Sequence, residues 1–180
     1  MKLKPLIHGI ATFIPGVSKL REKGTGGTIS ARYCYSVWLR NLVMAENNGL
    51  NSYPNIVAEL GPGDSLGIGL AALLSGADKY YALDVVKHAN TKRNLKIFEE
   101  ILTLYNNKTD IPADDEFPRL KPSLNNYKFP SNILDQNRLI NALKESRIDK
   151  IRNSIINSKD IDSLIEYKVP WYDENIIQKT

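Results

Sequence analysis

A chain of 180 residues with 42% apolar and 24% charged residues has the composition of an ordinary soluble domain, large enough to bury a core without disulfide or metal staples. Mean hydropathy is −0.31, no apolar run approaches the roughly 20 residues that cross a bilayer, and the single cysteine, Cys34, excludes an internal disulfide. A net charge of +4 with both signs interspersed is too weak a footprint for a nucleic-acid binder.

The densest basic group, Arg138, Lys144, Arg147, Lys150 and Arg152, is interrupted by Glu145 and Asp149 and reads as a solvated helix face. His8 and His88 lie far apart in sequence, so no metal-ligand cluster is expected. The opening "LIHGIATFIPGV" is short, is broken by Pro15 and lacks a small-residue cleavage site, so it does not read as a signal peptide. With one cysteine, a reducing, cytoplasmic setting is expected.

In chain order, the first feature is "KGTGGT", Lys23 to Thr28, a glycine-rich turn with Ser30 placed to cap the helix behind it. In that helix Arg32, Ser36 and Arg40 recur at i, i+4, i+8 as a polar stripe, and Cys34, Trp38, Leu42 and Ala45 form an apolar one. A loop, "NNGLNSYP", leads to a first strand, Asn55 to Leu60, then the turn Gly61–Ser65, a helix from Ser65 to Leu74, and a second strand, Lys79 to Leu83. Leu95, Phe98, Leu102 and Tyr105 predict a helix from a cap at Asn90 or Thr91 to Asn106. A proline-rich stretch with little periodicity follows. Ile140, Leu143, Ile148, Ile151 and Ile155 predict one further amphipathic helix, and "LIEYKV" a third strand.

Strand, helix, strand, helix in this order predicts an α/β fold with a parallel sheet, because parallel neighbours need crossover connections. Ligands of such sheets sit at the carboxyl ends of the strands, which singles out "ELGPGDS". Gly61 and Gly63 allow a sharp turn and close approach of a ligand, Asp64 or Ser65 can cap the helix, and Gly67 and Gly69 let it pack closely. Asp84 ends the second strand, 23 residues after Gly61, where a carboxylate can accept both hydroxyl hydrogens of a ribose. A dinucleotide fingerprint G-x-G-x-x-G does not match, because three residues separate Gly63 from Gly67. Asp64 would also stand against a pyrophosphate.

The segment "ELGPGDS", with "GTGGTISARYCYSVWLR" before it and "ALDVVKHAN" after it, resembles the class I S-adenosyl-L-methionine-dependent methyltransferases, and a bacterial subgroup of them, over Gly24 to Asn94. Serine at position 65 replaces the family's usual third glycine. The resemblance implies a Rossmann-like cofactor domain over residues 51–180 with residues 1–50 as a helical extension packed on it. It implies S-adenosyl-L-methionine as cofactor and a site of Glu59, Gly61, Pro62, Gly63, Asp64, Ser65, Asp84 and Val85. Glu59 would orient the methionine amino group and Asp84 the ribose. Two positive centres on the cofactor suit acidic neighbours.

"KGTGGT" is expected either to offer backbone N–H groups to the cofactor carboxylate or to serve as a hinge. Tyr33 and Trp38 are expected in the core or bordering the site. Trp171, Tyr172 and Asp173 belong to a loop that can face the adenine. The methyl acceptor and the catalytic base are not legible, and His88 is read as an exposed structural residue.

The family sheet has seven strands, and this chain supplies three. The expectation is therefore the N-terminal part of a larger unit, completed by a C-terminal half or a partner chain, with the first strand's far edge open unless the last helix or residues 111–130 cover it. Two alternatives stand beside the methyltransferase: a degenerate cofactor-binding module acting with a partner, and a nicotinamide-dependent oxidoreductase.

Overall fold

A computed structural model describes residues 27–50, 52–158 and 160–171. After a short 3-10 turn, Gly27–Ile29, come α1 (Ala31–Asn47), β1 (Ile56–Leu60), α2 (Gly67–Leu74), β2 (Lys79–Leu83) and α3 (Thr91–Asn106). Then follow α4 (Gln136–Ala142), α5 (Glu145–Ile156) and β3 (Ile165–Lys168). The three strands form one parallel sheet in the order β1-β2-β3. Ile56 pairs with Lys79 and Leu60 with Leu83, and Tyr80 pairs with Ile165 and Leu83 with Lys168. The predicted α/β class with a parallel sheet is what the chain forms, and its pattern of helices and parallel strands is consistent with a Rossmann-like fold.

Helix starts follow side-chain caps. Ser30 accepts from the Tyr33 N–H and opens α1, and Asn90 accepts from the Arg93 N–H and opens α3. The helix expected from Ser65 begins at Gly67 instead, because Ser65 Oγ accepts the Gly67 N–H at 3.1 Å and Asn94 Oδ1 takes the Leu66 N–H at 3.0 Å. The single helix expected over Ile140 to Ile155 is two helices, α4 and α5, broken at Leu143-Lys144, and Ile140 faces solvent. Ala45 is likewise exposed, while Cys34, Trp38 and Leu42 are buried as their stripe predicts.

One sheet face is covered and the other is open. Strand alternation turns Val57, Glu59, Tyr80, Ala82, Ile165 and Tyr167 toward α2, α3 and α5. There Tyr80, Ala82 and Ile165 are fully buried beside Leu70, Leu73, Phe98 and Ile151. On the other face Lys79 and Lys168 both lie over the Tyr81 ring, at 5.6 and 5.8 Å from its centroid, and both face Glu166. Ile56 and Leu60 are 65% and 72% exposed on that face.

The Asn55 C=O and the Gly61 N–H bond toward β2. Backbone alternation therefore points the N–H and C=O groups of Ile56, Ala58 and Leu60 to the far edge of β1, where no strand pairs among the described residues. Neither the proline-rich segment nor α5 covers this edge.

That segment packs on α1 instead, where the Arg32-Ser36-Arg40 stripe receives it. The fully buried Arg40 side chain donates to Ser36 Oγ, to Asp114 Oδ1 and to the carbonyls of Pro112, Leu120 and Pro122. Its guanidinium lies 4.9 Å from the Tyr127 ring centroid. Ser36 Oγ donates to the Pro112 carbonyl, the Tyr35 hydroxyl to the Thr109 carbonyl, and Arg32 holds Glu116 through two bonds of 2.7 and 2.5 Å. A planar, permanently charged fork is suited to gathering several backbone carbonyls at once.

Arg40→Ala leaves those carbonyls without their donor, and is expected to lower stability by about 3–5 kcal/mol, read as a reduced urea midpoint with unchanged slope. A loss below about 1 kcal/mol would contradict the clamp. Leu60→Lys, on the open face, is expected to change stability by no more than about 0.5 kcal/mol in the same assay, and a large loss would mean that something covers β1.

Candidate functional site

The β1–α2 turn lies at the carboxyl end of the sheet, and two glycines give it its shape. Gly61 and Gly63 have φ of +71° and +72°, which L side chains rarely adopt, and a Cβ at Gly61 would meet nothing within 4 Å. The turn is therefore open on its ligand side. Beneath it α2 sits unusually close to its neighbours. A Cβ on Gly69 would overlap the Tyr80 ring, and one on Gly67 would overlap Cys34 Sγ.

That close approach brings two acidic side chains into the same corner. Tyr80 donates its hydroxyl to Glu59 Oε2 at 2.6 Å. Burial, with Asp84 nearby, raises the Glu59 carboxyl to about 7 despite the Tyr80 bond, which acts in the opposite direction. Burial followed by the Glu59 charge holds the Tyr80 hydroxyl protonated well above its ordinary range. Asp84 leaves β2 beside the turn. Its Oδ2 accepts the Gly63 N–H at 3.3 Å, and its Oδ1 accepts those of Val85 at 2.7 Å and Val86 at 3.4 Å. Its backbone carbonyl accepts the Trp171 N–H at 3.0 Å, which ties the end of β3 to the same corner.

The eight residues expected at the site divide into two groups. Glu59, Gly61, Gly63, Asp84 and Val85 converge at the turn, with Asp84 partly exposed and Val85 at 54% exposure. Pro62, Asp64 and Ser65 are buried in the turn, Asp64 at 6% and Ser65 at 0%, so their side chains build the turn and do not line a ligand surface. The Asp64 N–H donates to Thr28 Oγ1 at 3.2 Å, its carbonyl accepts from Arg93 at 2.8 Å, and Ser65 Oγ donates to the Thr28 carbonyl.

Thr28, the last residue of "KGTGGT", thus braces the turn, and Arg93 is a part of it that the sequence did not single out. Cys34 also donates to the Thr28 carbonyl, at 3.6 Å, and burial pushes its thiol up to about 12, which disfavours the thiolate.

Several expectations fall elsewhere. Trp38 is core, its indole N–H bonded to Ser75 Oγ at 2.8 Å at the far end of α2, and Tyr33 stacks edge-on against Phe117. His88 is exposed just past β2. Of "KGTGGT" only Gly27 and Thr28 are described, and the contacts of Thr28 go to the turn itself; Tyr172 and Asp173 lie outside the described residues. Among the described residues no three His, Cys, Asp or Glu side chains are grouped to hold a metal ion, and no helix is long and apolar enough to cross a membrane. No family model, no curated protein and no solved structure matches this chain.

The donor set has a definite chemistry. Two carboxyl groups and three backbone N–H groups already engaged by Asp84 suit a ligand carrying hydroxyl donors or positive charge. Asp64, expected to stand against a pyrophosphate, is instead buried within the turn.

Glu59 also sets a pH dependence of stability. Its folded value near 7 exceeds the ordinary 4.5, so the stabilisation is fully present below about 4.5 and is lost as pH rises through about 7. Between pH 5 and 8 this is worth about 2–3 kcal/mol. The wild-type chain is expected to lose that much relative to Glu59→Gln over this range in paired denaturant titrations. Parallel pH profiles for the two proteins would contradict the burial of this carboxyl.

Proposed function

We propose that this chain binds S-adenosyl-L-methionine at the β1–α2 turn and serves as the cofactor domain of a methyltransferase. The observation that carries the reading is the placement of Asp84: a carboxylate at the end of β2, tied to the N–H of the positive-φ Gly63, beside a second carboxyl from β1. In this reading Asp84 accepts the ribose hydroxyl hydrogens. Gly61 and Gly63 let the cofactor approach the backbone, Glu59 faces the methionine ammonium, and Val85 offers an exposed apolar surface next to the ribose. Pro62, Asp64 and Ser65 hold the turn's shape.

The bound cofactor supplies an electrophilic methyl group on sulfur for in-line attack by a nucleophile. What the chain contributes is position and an acidic surround for the positive sulfonium. No side chain is assigned as catalytic base. Asp84 is common to the oxidoreductase alternative, since a carboxylate at the end of the second strand also holds the ribose of a dinucleotide. What disfavours that alternative is the glycine spacing, with three residues between Gly63 and Gly67 where the dinucleotide fingerprint has two.

A second reading is favoured by one specific observation, the open apolar edge of β1 with Ile56 and Leu60 exposed beside it. The unpaired N–H and C=O groups along such an edge are a ready template for another strand. The cofactor domain would then act together with a further strand from a partner, and show binding without methyl transfer by itself.

Calorimetric titration with S-adenosyl-L-homocysteine, run beside NAD and NADP, separates the S-adenosyl-L-methionine site from the oxidoreductase alternative, and a methyl-transfer assay on the same chain separates the two cofactor readings. The expected result is binding of the homocysteine compound only, weakened at least about tenfold by Asp84→Ala, a loss of roughly 1.4 kcal/mol or more. Binding of NAD instead, or unchanged affinity in Asp84→Ala, would contradict the assignment.

A further inference from the structure

The corner under the turn holds a carboxyl group that no ligand needs to be present to explain, yet whose surroundings leave it poorly suited to carry charge. Glu59 sits on the covered sheet face, with its Oε2 2.6 Å from the Tyr80 hydroxyl. The groups that face it come from each element around it. From β2 and its end come Tyr80 and the Asp84 carboxylate; from α1 comes the thiol of Cys34, which stays protonated. The segment α2, "GIGLAALL", carries no charged residue at all. The nearby cation Arg93 donates to the Asp64 carbonyl. Nothing in this list offers Glu59 a positive partner, and Asp84 opposes its ionisation.

We propose that Glu59 and Tyr80 form a proton-holding pair beneath the glycine turn, and that a cationic ligand arriving at the turn expels the Glu59 proton, so that binding and proton release are one event. This rests on the reading of the turn as the S-adenosyl-L-methionine site and adds a regulation of that site by pH. The balance is simple: the neutral Glu59 carboxylic acid becomes a carboxylate, the proton leaves to solvent, and Tyr80 keeps its hydroxyl hydrogen and donates it to the new carboxylate. The ligand's ammonium supplies a positive charge that none of the described groups named above brings to Glu59. The geometry gives the carboxylate one waiting donor, the Tyr80 hydroxyl at 2.6 Å, while burial among uncharged groups opposes its ionisation, and a positive neighbour acts against that burial.

The test is calorimetric titration of the chain with S-adenosyl-L-homocysteine, whose amino group stays protonated across pH 5.5 to 8, in buffers of different ionisation enthalpy. Release of nearly one proton per ligand is expected at pH 6 and little at pH 8, with affinity about tenfold weaker at pH 6 than at pH 8. Glu59→Gln removes both the proton release and the pH dependence. Tyr80→Phe keeps the buried ring but withdraws the hydroxyl that favours the carboxylate, so it shifts the midpoint of the affinity profile to higher pH, which a purely structural role for Tyr80 would not do. Binding with no proton release and a flat pH profile would overturn the coupling and leave the cofactor site standing. No binding at any pH, in a chain whose unfolding still shows the Glu59 titration, would overturn the cofactor site and the coupling with it.

Discussion

The contact on which this architecture turns is the one between Gly69 of α2 and the ring of Tyr80 in β2. No side chain larger than hydrogen fits there, so the helix settles directly on the strand. That closeness sets the height of α2 above the sheet. Above it the connection from Leu60 to Gly67 turns through two glycines at positive φ, Gly61 and Gly63. The same closeness also drives the Tyr80 hydroxyl along the sheet to Glu59. The acidic corner at the end of β1 and β2 is thus a consequence of helix–strand packing before it is a feature of any ligand.

A second network, independent of the first, anchors the long irregular segment. Arg40 is fully buried and spends its donors on backbone carbonyls at Pro112, Leu120 and Pro122. Buried carbonyls of a loop without regular structure need donors from somewhere, and on α1 the Arg40 guanidinium provides most of them, with the Ser36 and Tyr35 hydroxyls beside it. This is why a stretch of about thirty residues lacking helix or strand can lie against the core. The two networks meet in α1, which holds Arg40 toward the loop and Cys34 toward Gly67 and Thr28.

What could be read from the residues follows where local rules dominate. β2 and α3 have the expected bounds, because β2 is a short apolar run between breakers and α3 has both a cap at Asn90 and a clean apolar stripe. The polar stripe of α1 was visible, but not its partner, since the proline-rich segment has no period of its own and takes its shape from Arg40. The break between α4 and α5 was hidden by isoleucines that keep helical spacing across it. Arg147, which donates to the Leu73 and Ala77 carbonyls at the end of α2, shows what α5 is oriented to reach.

At the site, residue types predicted the corner but not its layering. Ligand-facing and turn-building residues alternate within "ELGPGDS", and only burial tells Gly63 from Asp64. The roles of Thr28 and Arg93 depend on contacts across 36 and 29 residues of chain, beyond any local motif.

The most direct test of the account is to follow backbone amide resonances of the chain while S-adenosyl-L-homocysteine is added. The account predicts that the amides of Gly61, Gly63, Asp84 and Val85 shift first and saturate together, while those around Arg40 and the proline-rich segment stay in place. Saturable shifts centred anywhere else, or none at millimolar ligand, would contradict it.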